Sequence, residues 1–335
     1  MSSTVARTRM PTTAALREIQ RPVRERLEAV VAEMRHVVSA DLPLIEQVSS
    51  HLLQIRGKMF RPTLALLASE TAGTPEVRVI ALAAVLELMH LASLVHDDSV
   101  DHSALRRGMP TVNSLFSHQV SVIMGDFLYS RALESLVSLG DLDLMRVLTR
   151  VSTQLTIGEM RQLAAVDALA FTEHDYEMLI QAKTASLLSA ACETGAMCGA
   201  AQYRVALKLY GERLGMAFQV ADDILDYTET ASVTGKPSGL DLKEHKVTLP
   251  LIAALPRFSR SDRATVNALF ATETPDDDQI AHVIALVAGH DGIQDARRRG
   301  EEYAREAEEA LDPLPDTPAR AALADAIRYV MDRRS

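Results

Sequence analysis

The chain has 335 residues, of which 47% are hydrophobic and 4% aromatic, and its formal net charge at pH 7 is −10. A chain this acidic lacks the basic surface that nucleic-acid binding requires. Its low content of glycine and proline, and the scarcity of strand-like alternation, indicate an all-α fold. The two cysteines, Cys192 and Cys198, form no Cys-x-x-Cys pattern and follow no signal peptide, which is typical of reduced core residues in a cytoplasmic protein.

The first part of the chain predicts a tail and then helices. Residues 1–12 are interpreted as a disordered N-terminal tail and residues 13–335 as one all-helical domain. Helical spacing predicts one or two helices over 13–40, with Pro22 at a start or a break, and another helix over 42–56. No uncharged apolar stretch reaches the length of about 18 residues that a bilayer requires, so we expect no transmembrane segment.

A basic loop follows at residues 57–62. Its glycine allows a tight backbone, and Pro62 suits the first turn of the next helix. Lys58 and Arg61 would therefore stand at a helix N-terminus, where the free N–H groups and the helix dipole favour anions. An ordinary solvated basic loop is the alternative interpretation.

The next two helices are predicted over 63–73 and 77–101, and the second ends in Asp97-Asp98-x-x-Asp101. Residues four apart share one face of a helix, so Asp97 and Asp101 would point the same way. Carboxylates forced together repel unless a cation lies between them. Sites made only of carboxylates suit Mg²⁺, which commonly shares its ligand shell with substrate phosphate and water.

Another basic pair, Arg106 and Arg107, lies in the loop after this first acidic set. The pair fits either a salt-bridge network with the aspartates or a clamp on diphosphate oxygens, for which the guanidinium geometry is suited. Further helices are predicted over 115–139, 143–164 and 173–198. The last of these helices carries Lys183 and Thr184 in its middle, and taken alone such a lysine is usually solvated.

A helix over 203–229 carries the second acidic set, Asp222-Asp223-x-x-Asp226. A solvated acidic face is the alternative for each set, but both runs are too apolar for an exposed face. We therefore predict two aspartate helices that face each other across a cavity and hold Mg²⁺ on a diphosphate. Lys236 and Lys246 bracket the loop that follows. Amphipathic C-terminal helices without catalytic features are predicted over 262–270, 277–289, 292–311 and 317–333.

Six motifs, in this order, make the chain resemble the trans-isoprenyl diphosphate synthases, the polyprenyl synthetase family, from about residue 40 onward. They are Gly57-Lys58-x-x-Arg61-Pro62, His90 with Asp97-Asp98-x-x-Asp101, Arg106-Arg107-Gly108, Lys183-Thr184, Phe218-Gln219-x-x-Asp222-Asp223-x-x-Asp226, and Gly235-Lys236-Pro237 through Lys246-x-Thr248-Leu249-Pro250. The resemblance implies a single-domain bundle of about ten or more helices around a deep central cavity, in a homodimer. It also implies a prenyltransferase that joins isopentenyl diphosphate to an allylic diphosphate.

Carried over by position, the resemblance also implies a role for each residue. Direct ligands of Mg²⁺, with about three ions around the diphosphate, would be Asp97, Asp101 and Asp222. Residues that hold these ligands or their waters would be Asp98, Asp223 and Asp226. The isopentenyl diphosphate pocket would contain Lys58, Arg61, His90 and Arg107. The allylic diphosphate would be held by Arg106, Lys183, Gln219, Lys236 and Lys246, and Thr184 and Gln219 would face the carbocation.

The chain departs from the common family motifs at three positions. Arg56 and Met59 replace a glycine and an arginine in the first motif, and neither position is a diphosphate contact in the family. His245 stands where a glycine is usual, which would alter how its loop closes. No metal or phosphate position is lost.

The product length would depend on the residues that precede the first acidic set on its helix. Counting back from Asp97 by four, five, eight and eleven positions gives Ser93, Ala92, Met89 and Leu86. Short-chain members of the family place an aromatic residue four or five positions back, and some bacterial ones insert two residues in the first motif; neither feature occurs here. We therefore predict an all-trans product of about C30–C50, suited to quinone side chains, with flexible Met89 as a partial floor. The alternatives are a farnesyl or geranylgeranyl diphosphate synthase of about C15–C20, a terpene cyclase, and a non-catalytic subunit of a heteromeric synthase.

Overall fold

A computed structural model describes residues 12–55, 57–164, 168–228 and 239–332. Over these ranges the chain folds as a bundle of α-helices with one two-stranded antiparallel ribbon, which confirms the predicted all-α class. Long apolar stretches with helical spacing, interrupted by few glycines and prolines, account for the helices. The predicted single domain stays a prediction.

The helices of the first half begin and end close to the predicted boundaries. Pro22 lies in a short 3₁₀ turn between the first two helices, at the predicted break. The ribbon returns the chain over the end of the fifth helix. The elements are α1 Thr12–Gln20, α2 Arg24–Val37, α3 Pro43–Gln54, α4 Phe60–Glu70, α5 Val79–Val100, β1 Leu105–Arg106, β2 Met109–Pro110, α6 Val112–Leu115, α7 His118–Ser138 and α8 Leu142–Ala164.

In the second half, one predicted helix departs from regular α-helical geometry. The single helix predicted over 173–198 is broken into two α-helices joined by a π-helical turn at Gln181–Ala185, called the π segment below. A π-helical turn is uncommon and is found most often at functional sites. The helices are α9 Glu173–Ile180, α10 Ser186–Met197, α11 Arg204–Thr228, α12 Leu240–Lys243, α13 Leu249–Ala254, α14 Arg260–Ala271, α15 Asp277–Gly289, α16 Gly292–Ala310 and α17 Pro318–Met331.

The centre of the bundle is formed by α4, α5 and α10. Helix α5 packs against α7, α2 and α4, and α10 packs against α4 and α11. The contact of α10 with α4 requires Gly195, because a Cβ there would lie 2.2 Å from the carbonyl oxygen of Ala65. Among the described helices, α5 has the length and apolarity of a bilayer span, but it is mostly buried in the bundle, as core helices are.

Two of the predictions concern residues beyond the described ranges. The predicted N-terminal tail, residues 1–12, overlaps them only at Thr12, where α1 begins. Lys236 lies in the stretch 229–238, outside the described residues. The two cysteines are buried and unpaired, in agreement with their predicted place in the core.

Candidate functional site

The first acidic set occupies the last turn of α5, with Asp101 at its C-cap. The amide of Asp101 donates to the carbonyl oxygen of Asp97 at 2.8 Å, so helical geometry continues through the set. Burial, reinforced by the neighbouring charge of Glu159, raises the pKa of Asp97 to about 6. A carboxylate in such surroundings gains from a nearby cation, so the donor chemistry fits a hard divalent ion.

The middle residue of the first set, Asp98, is buried and bound by an arginine. The Nε of Arg106 donates to both carboxylate oxygens of Asp98 at 2.8 Å, and Nη2 lies 2.8 Å from Oδ1. Arg106 reaches Asp98 because β1 and β2 fold the chain back over the end of α5. Arg106 therefore forms a salt bridge with an aspartate of the first set, as one of the two interpretations predicted. A diphosphate that binds Arg106 would share this side chain with Asp98.

The second acidic set lies near the end of α11, where neutral donors hold its middle residue. Asp223 is buried and accepts hydrogen bonds from Tyr176 Oη at 2.5 Å and from Gln219 Nε2 at 2.8 Å. Gln219 in turn accepts a hydrogen bond from Thr184 Oγ1 at 2.8 Å. Burial, followed by the charge of Asp241, raises the pKa of Asp223 well above its usual range. Sequence reasoning missed Tyr176, because nothing in its local sequence relates it to α11.

Backbone groups hold the last residue of the second set. The side chain of Asp226 accepts hydrogen bonds from the amides of Leu240 at 3.1 Å and Asp241 at 3.0 Å, at the start of α12. Burial raises the pKa of Asp226, and burial together with the charge of Asp226 raises that of Asp241 to about 7. Asp241 therefore adds an acid to this set that sequence reasoning missed, since a single aspartate in a loop is a weak indication.

Lys246 connects the two acidic sets electrostatically. Its Nζ lies 2.6 Å from Glu244 Oε2. Burial lowers the pKa of Lys246, but this hydrogen bond and the charges of Glu244, Asp101 and Asp241 raise it more. Asp101 belongs to the first set and Asp241 contacts the second, so Lys246 lies in the field of both.

The aspartates do not form a ready-made metal cage. Within the described ranges, no three His, Cys, Asp or Glu side chains are close enough together to hold one ion. Magnesium commonly completes its shell with substrate phosphate and water, so a bound diphosphate would have to supply ligands here. The predicted encounter of Asp97 with Asp222 stays a prediction.

Lys183 lies in the π segment and is not a solvated lysine. Its Nζ contacts Glu159 Oε1 at 2.8 Å and donates to Gln162 Oε1 at 3.1 Å, both on α8. Gly158 permits this approach, because a Cβ there would lie 3.1 Å from the Cβ of Ala182. Glu159 and Gln162 were not assigned by sequence reasoning, since neither forms a motif with Lys183.

A pocket of about 30 Å³ brings His90 and Arg107 together with Gly57, Glu87 and Arg106. Gly57 leaves room for the Arg107 guanidinium, because a Cβ would lie 2.5 Å from Arg107 Nη1. Burial, followed by the charges of Arg61 and Arg107, lowers the pKa of His90 well below its usual range. The imidazole is therefore neutral at pH 7 and offers one N–H donor.

Two oppositely charged side chains beside this pocket each have one buried polar atom without a hydrogen-bond partner among the described residues. Arg61 Nε and Glu87 Oε2 are both buried without such a partner in the described part of the chain. Burial lowers the pKa of Arg61 to about 10, against the charge of Glu87. Lys58, by contrast, is exposed, and its Nζ lies 5.7 Å from the ring centroid of Tyr329. Glu87 was missed because a glutamate inside an apolar helix matches no motif of the site.

The predicted chain-length residues lie on another face of α5 than the pocket. Met89 and Ala92 are buried, and Ser93 is half-buried with its hydroxyl donating to the carbonyl oxygen of His90 at 2.8 Å. The pocket instead adjoins Leu91 and other residues that point away from that face. The tail path below Asp97 stays a prediction.

Two of the departures from the family motifs fall at left-handed backbone positions. Met59 has φ 52° and His245 has φ 56°, a conformation that favours glycine. The His245 ring compensates in part, since its Nε2 lies 2.9 Å from the carbonyl oxygen of Thr272. Arg56 lies outside the described residues.

Comparison with known proteins gives one consistent result. The polyprenyl synthetase family model matches residues 42–287. The all-trans-nonaprenyl-diphosphate synthase (geranyl-diphosphate specific) of Rhodobacter capsulatus is 36% identical over 318 residues, which cover 94% of this chain and 97% of that protein.

Solved structures agree with the family match. A decaprenyl diphosphate synthase from Rhodobacter capsulatus superposes with a TM-score of 0.90 at 36% identity, covering 97% of this chain and 100% of its own. A polyprenyl synthase from Caulobacter crescentus, complexed with calcium and isoprenyl diphosphate, also gives a TM-score of 0.90, at 32% identity with 96% and 98% covered.

Proposed function

This chain belongs to the polyprenyl synthetase family of trans-prenyltransferases, and we propose that it adds isopentenyl diphosphate units head to tail to an allylic diphosphate, giving a long all-trans polyprenyl diphosphate. One observation carries the proposal. Two acidic sets end apolar helices, and each has cations beside it that suit a diphosphate. A catalytic homodimer in the cytoplasm is part of the same proposal.

The allylic diphosphate would bind between the two sets. Asp97, Asp101 and Asp222 would hold Mg²⁺, and the raised pKa of Asp97 supports the fit. Bound Mg²⁺ supplies neutralisation of the diphosphate charge, which makes this group a better leaving group. The cations that would grip the diphosphate are Arg106, Lys183, Lys236 and Lys246, with Gln219 beside them.

Isopentenyl diphosphate would bind at the pocket that His90 and Arg107 line, which would have to widen from its volume of about 30 Å³ to admit it. Arg61 and Arg107 would neutralise its charge, and Lys58 would leave the ring of Tyr329 to reach it. His90, held neutral, would donate one hydrogen bond. Guanidinium groups suit this task because they bind phosphate oxygens in pairs.

The reaction breaks the bond between C1 and oxygen of the allylic substrate, and the electron pair leaves with the diphosphate. The double bond of isopentenyl diphosphate then attacks C1, and the released diphosphate takes up the proton that is lost. Thr184 and Gln219 would turn their oxygens to the carbocation, and Asp223 would orient Gln219. The apolar helices around them exclude water, which would quench the cation.

The proposed product length rests on the small side chains at Ala92 and Ser93. An aromatic residue at either position would block a tail that passes along α5. The relatives described above carry nonaprenyl and decaprenyl names, which supports a long chain, of the kind used for quinone side chains.

The deciding experiment uses the purified chain alone with Mg²⁺, labelled isopentenyl diphosphate, and geranyl or farnesyl diphosphate as primer. We expect a ladder of polyprenyl diphosphates, whose main length chromatography gives. A cyclic hydrocarbon would instead indicate a cyclase. A chain that makes no product alone but does so with a second protein would be a partner subunit.

The tail path is tested by Ala92→Phe. A phenyl group at this buried position should block the tail and shorten the main product to about C15–C20. The matched control is Val137→Phe on α7, where the native side chain is 55% exposed and the product should not change. An unchanged product distribution in Ala92→Phe would refute this path without refuting the prenyltransferase.

A further inference from the structure

The ammonium of Lys183 is held by two side chains of one helix. An ammonium group has three N–H donors and no acceptor. Glu159 takes one donor, at 2.8 Å to Oε1 and 2.9 Å to Oε2, and Gln162 takes another at 3.1 Å. Within the described residues, one donor is left for a further partner.

The first acidic set lies within the electrostatic reach of Lys183. Lys183 is close enough to Asp97 for its charge to act on that carboxyl, and Glu159 acts on it as well. The side chain of Lys183 is 29% exposed, so its head is neither sealed in the core nor free in solvent. A diphosphate bound at Asp97 would therefore meet a lysine whose direction is already set.

The support beneath Lys183 is closely packed. Glu159 and Gln162 are three residues apart, so they share one face of α8. They lie next to Gly158, where α8 comes so close to the π segment that a Cβ would lie 3.4 Å from the backbone nitrogen of Lys183. The π-helical turn changes the direction of Lys183 relative to a regular helix, and α8 meets it at that point.

We propose that Glu159 and Gln162 are positioning residues, which occupy two donors of Lys183 so that the third points at the allylic diphosphate. The proposal rests on the proposed function. The new element is that two residues of α8 orient Lys183, which belongs to the π segment and not to α8. Neither residue touches the reacting atoms.

The opposite effect of Glu159 on substrate binding can be distinguished from an orienting role. If Glu159 were only a competitor that substrate must displace from Lys183, its removal would tighten binding of the allylic diphosphate. A competitor would not need the neutral acceptor Gln162 beside it, whereas an orienting pair does. The direction of the change in KM therefore separates the two.

The test measures KM for both substrates in Glu159→Ala. We expect KM for the allylic diphosphate to rise about tenfold and KM for isopentenyl diphosphate to stay within about twofold. Glu159→Gln, which keeps an acceptor, should show a smaller rise, and Gln162→Ala a rise of about threefold. The matched control is Asp143→Asn, which removes an exposed carboxylate that pairs with Arg146 at 2.7 Å on the same helix.

A double-mutant cycle shows whether Glu159 acts through Lys183. In a Lys183→Ala background, Glu159→Ala should change the allylic KM by less than about twofold, because there is no longer an ammonium to aim. An additive effect, an unchanged KM, or a lower KM in the single variant would overturn the proposal. If Glu159→Ala does not fold, the same comparisons with Glu159→Gln and Gln162→Ala decide. A wild-type chain that elongates no primer would refute the proposed function instead.

Discussion

In the first acidic set a cation holds the middle carboxylate, whereas in the second set neutral donors hold it. Arg106 binds Asp98 through both carboxylate oxygens, and Tyr176 and Gln219 bind Asp223. The outer residue of the second set, Asp226, is bound by backbone amides as well.

The difference indicates how each set responds to substrate. Arg106 is also a proposed diphosphate ligand, so binding would redistribute the charge around the first set. The donors around Asp223 carry no charge and come from buried helices, so they fix its geometry before substrate arrives. We infer that the second set is a fixed support and the first set adjusts to the diphosphate.

The largest expected effect comes from removing one carboxylate charge in each set. Asp97→Asn and Asp222→Asn should each lower kcat by at least about 1,000-fold, because each removes a proposed Mg²⁺ ligand. Steady-state rates at saturating Mg²⁺ check this, with Asp325→Asn, an exposed residue paired with Arg328, as control. If one variant keeps most of its activity, the two sets do not act together.

The neutral support of the second set is tested by Tyr176→Phe. Loss of the hydroxyl leaves Asp223 with one fewer donor and should weaken Mg²⁺-dependent activity by about 10- to 100-fold. Tyr210→Phe is a matched control, since Tyr210 is buried and its hydroxyl donates to the carbonyl oxygen of Leu323 at 2.8 Å, in another part of the bundle. The control should lower stability by about 1 kcal/mol and leave the Mg²⁺ dependence unchanged. Equal effects of both variants on the Mg²⁺ dependence would contradict the supporting role.

Much of this fold could be predicted from the sequence, because long apolar helices with proline and glycine at their ends carry their own local determinants. The break at Pro22 and the end of α5 at the first acidic set are examples. The π segment could not be predicted from its own sequence. It packs closely against Gly158 of α8, and this contact between distant parts of the chain is visible only in the fold.

The candidate site, like the fold, could be predicted from the sequence only in part. The motif residues could be placed on helices in advance, but their partners could not. Tyr176, Glu159 and Glu87 are single residues of common types, and only the tertiary fold brings them to Asp223, Lys183 and Arg61. Motif spacing contains no information about such contacts between helices.

Gly57→Ala should have a smaller effect, on substrate binding. It tests Arg107, the second arginine beside the first acidic set. Arg106 is fixed on Asp98, whereas the Arg107 guanidinium lies over Gly57, where a Cβ would come within 2.5 Å of Nη1. The methyl group should displace Arg107 and raise KM for isopentenyl diphosphate about tenfold, with the allylic KM nearly unchanged. The control is Gly289→Ala, because a Cβ there meets nothing within 4 Å. A rise in the allylic KM alone would reverse the assignment of the two arginines.

The smallest expected effect is on how the free energy of unfolding depends on pH. Asp97 of the first set and Asp241 beside the second set should both contribute to it. The pKa of Asp97, at about 6, and that of Asp241, at about 7, exceed the usual 3.8, mainly through burial. Between pH 3.8 and each raised pKa, the folded chain binds more protons than the unfolded chain. The free energy of unfolding therefore falls as the pH rises through this interval. Each carboxyl should contribute on the order of 1 kcal/mol to the fall between about pH 5.5 and 7.5 without Mg²⁺.

Denaturant unfolding of the chain and of Asp97→Asn and Asp241→Asn isolates these two contributions from those of the histidines. Each variant should show a shallower pH dependence than the parent chain. Mg²⁺ with inorganic pyrophosphate should remove the contribution of Asp97, because a bound cation favours its ionised form. It should leave more of the contribution of Asp241, whose amide donates to Asp226 in the second set. A pH dependence that stays the same in both variants would show that neither carboxyl has the raised pKa on which this contrast depends.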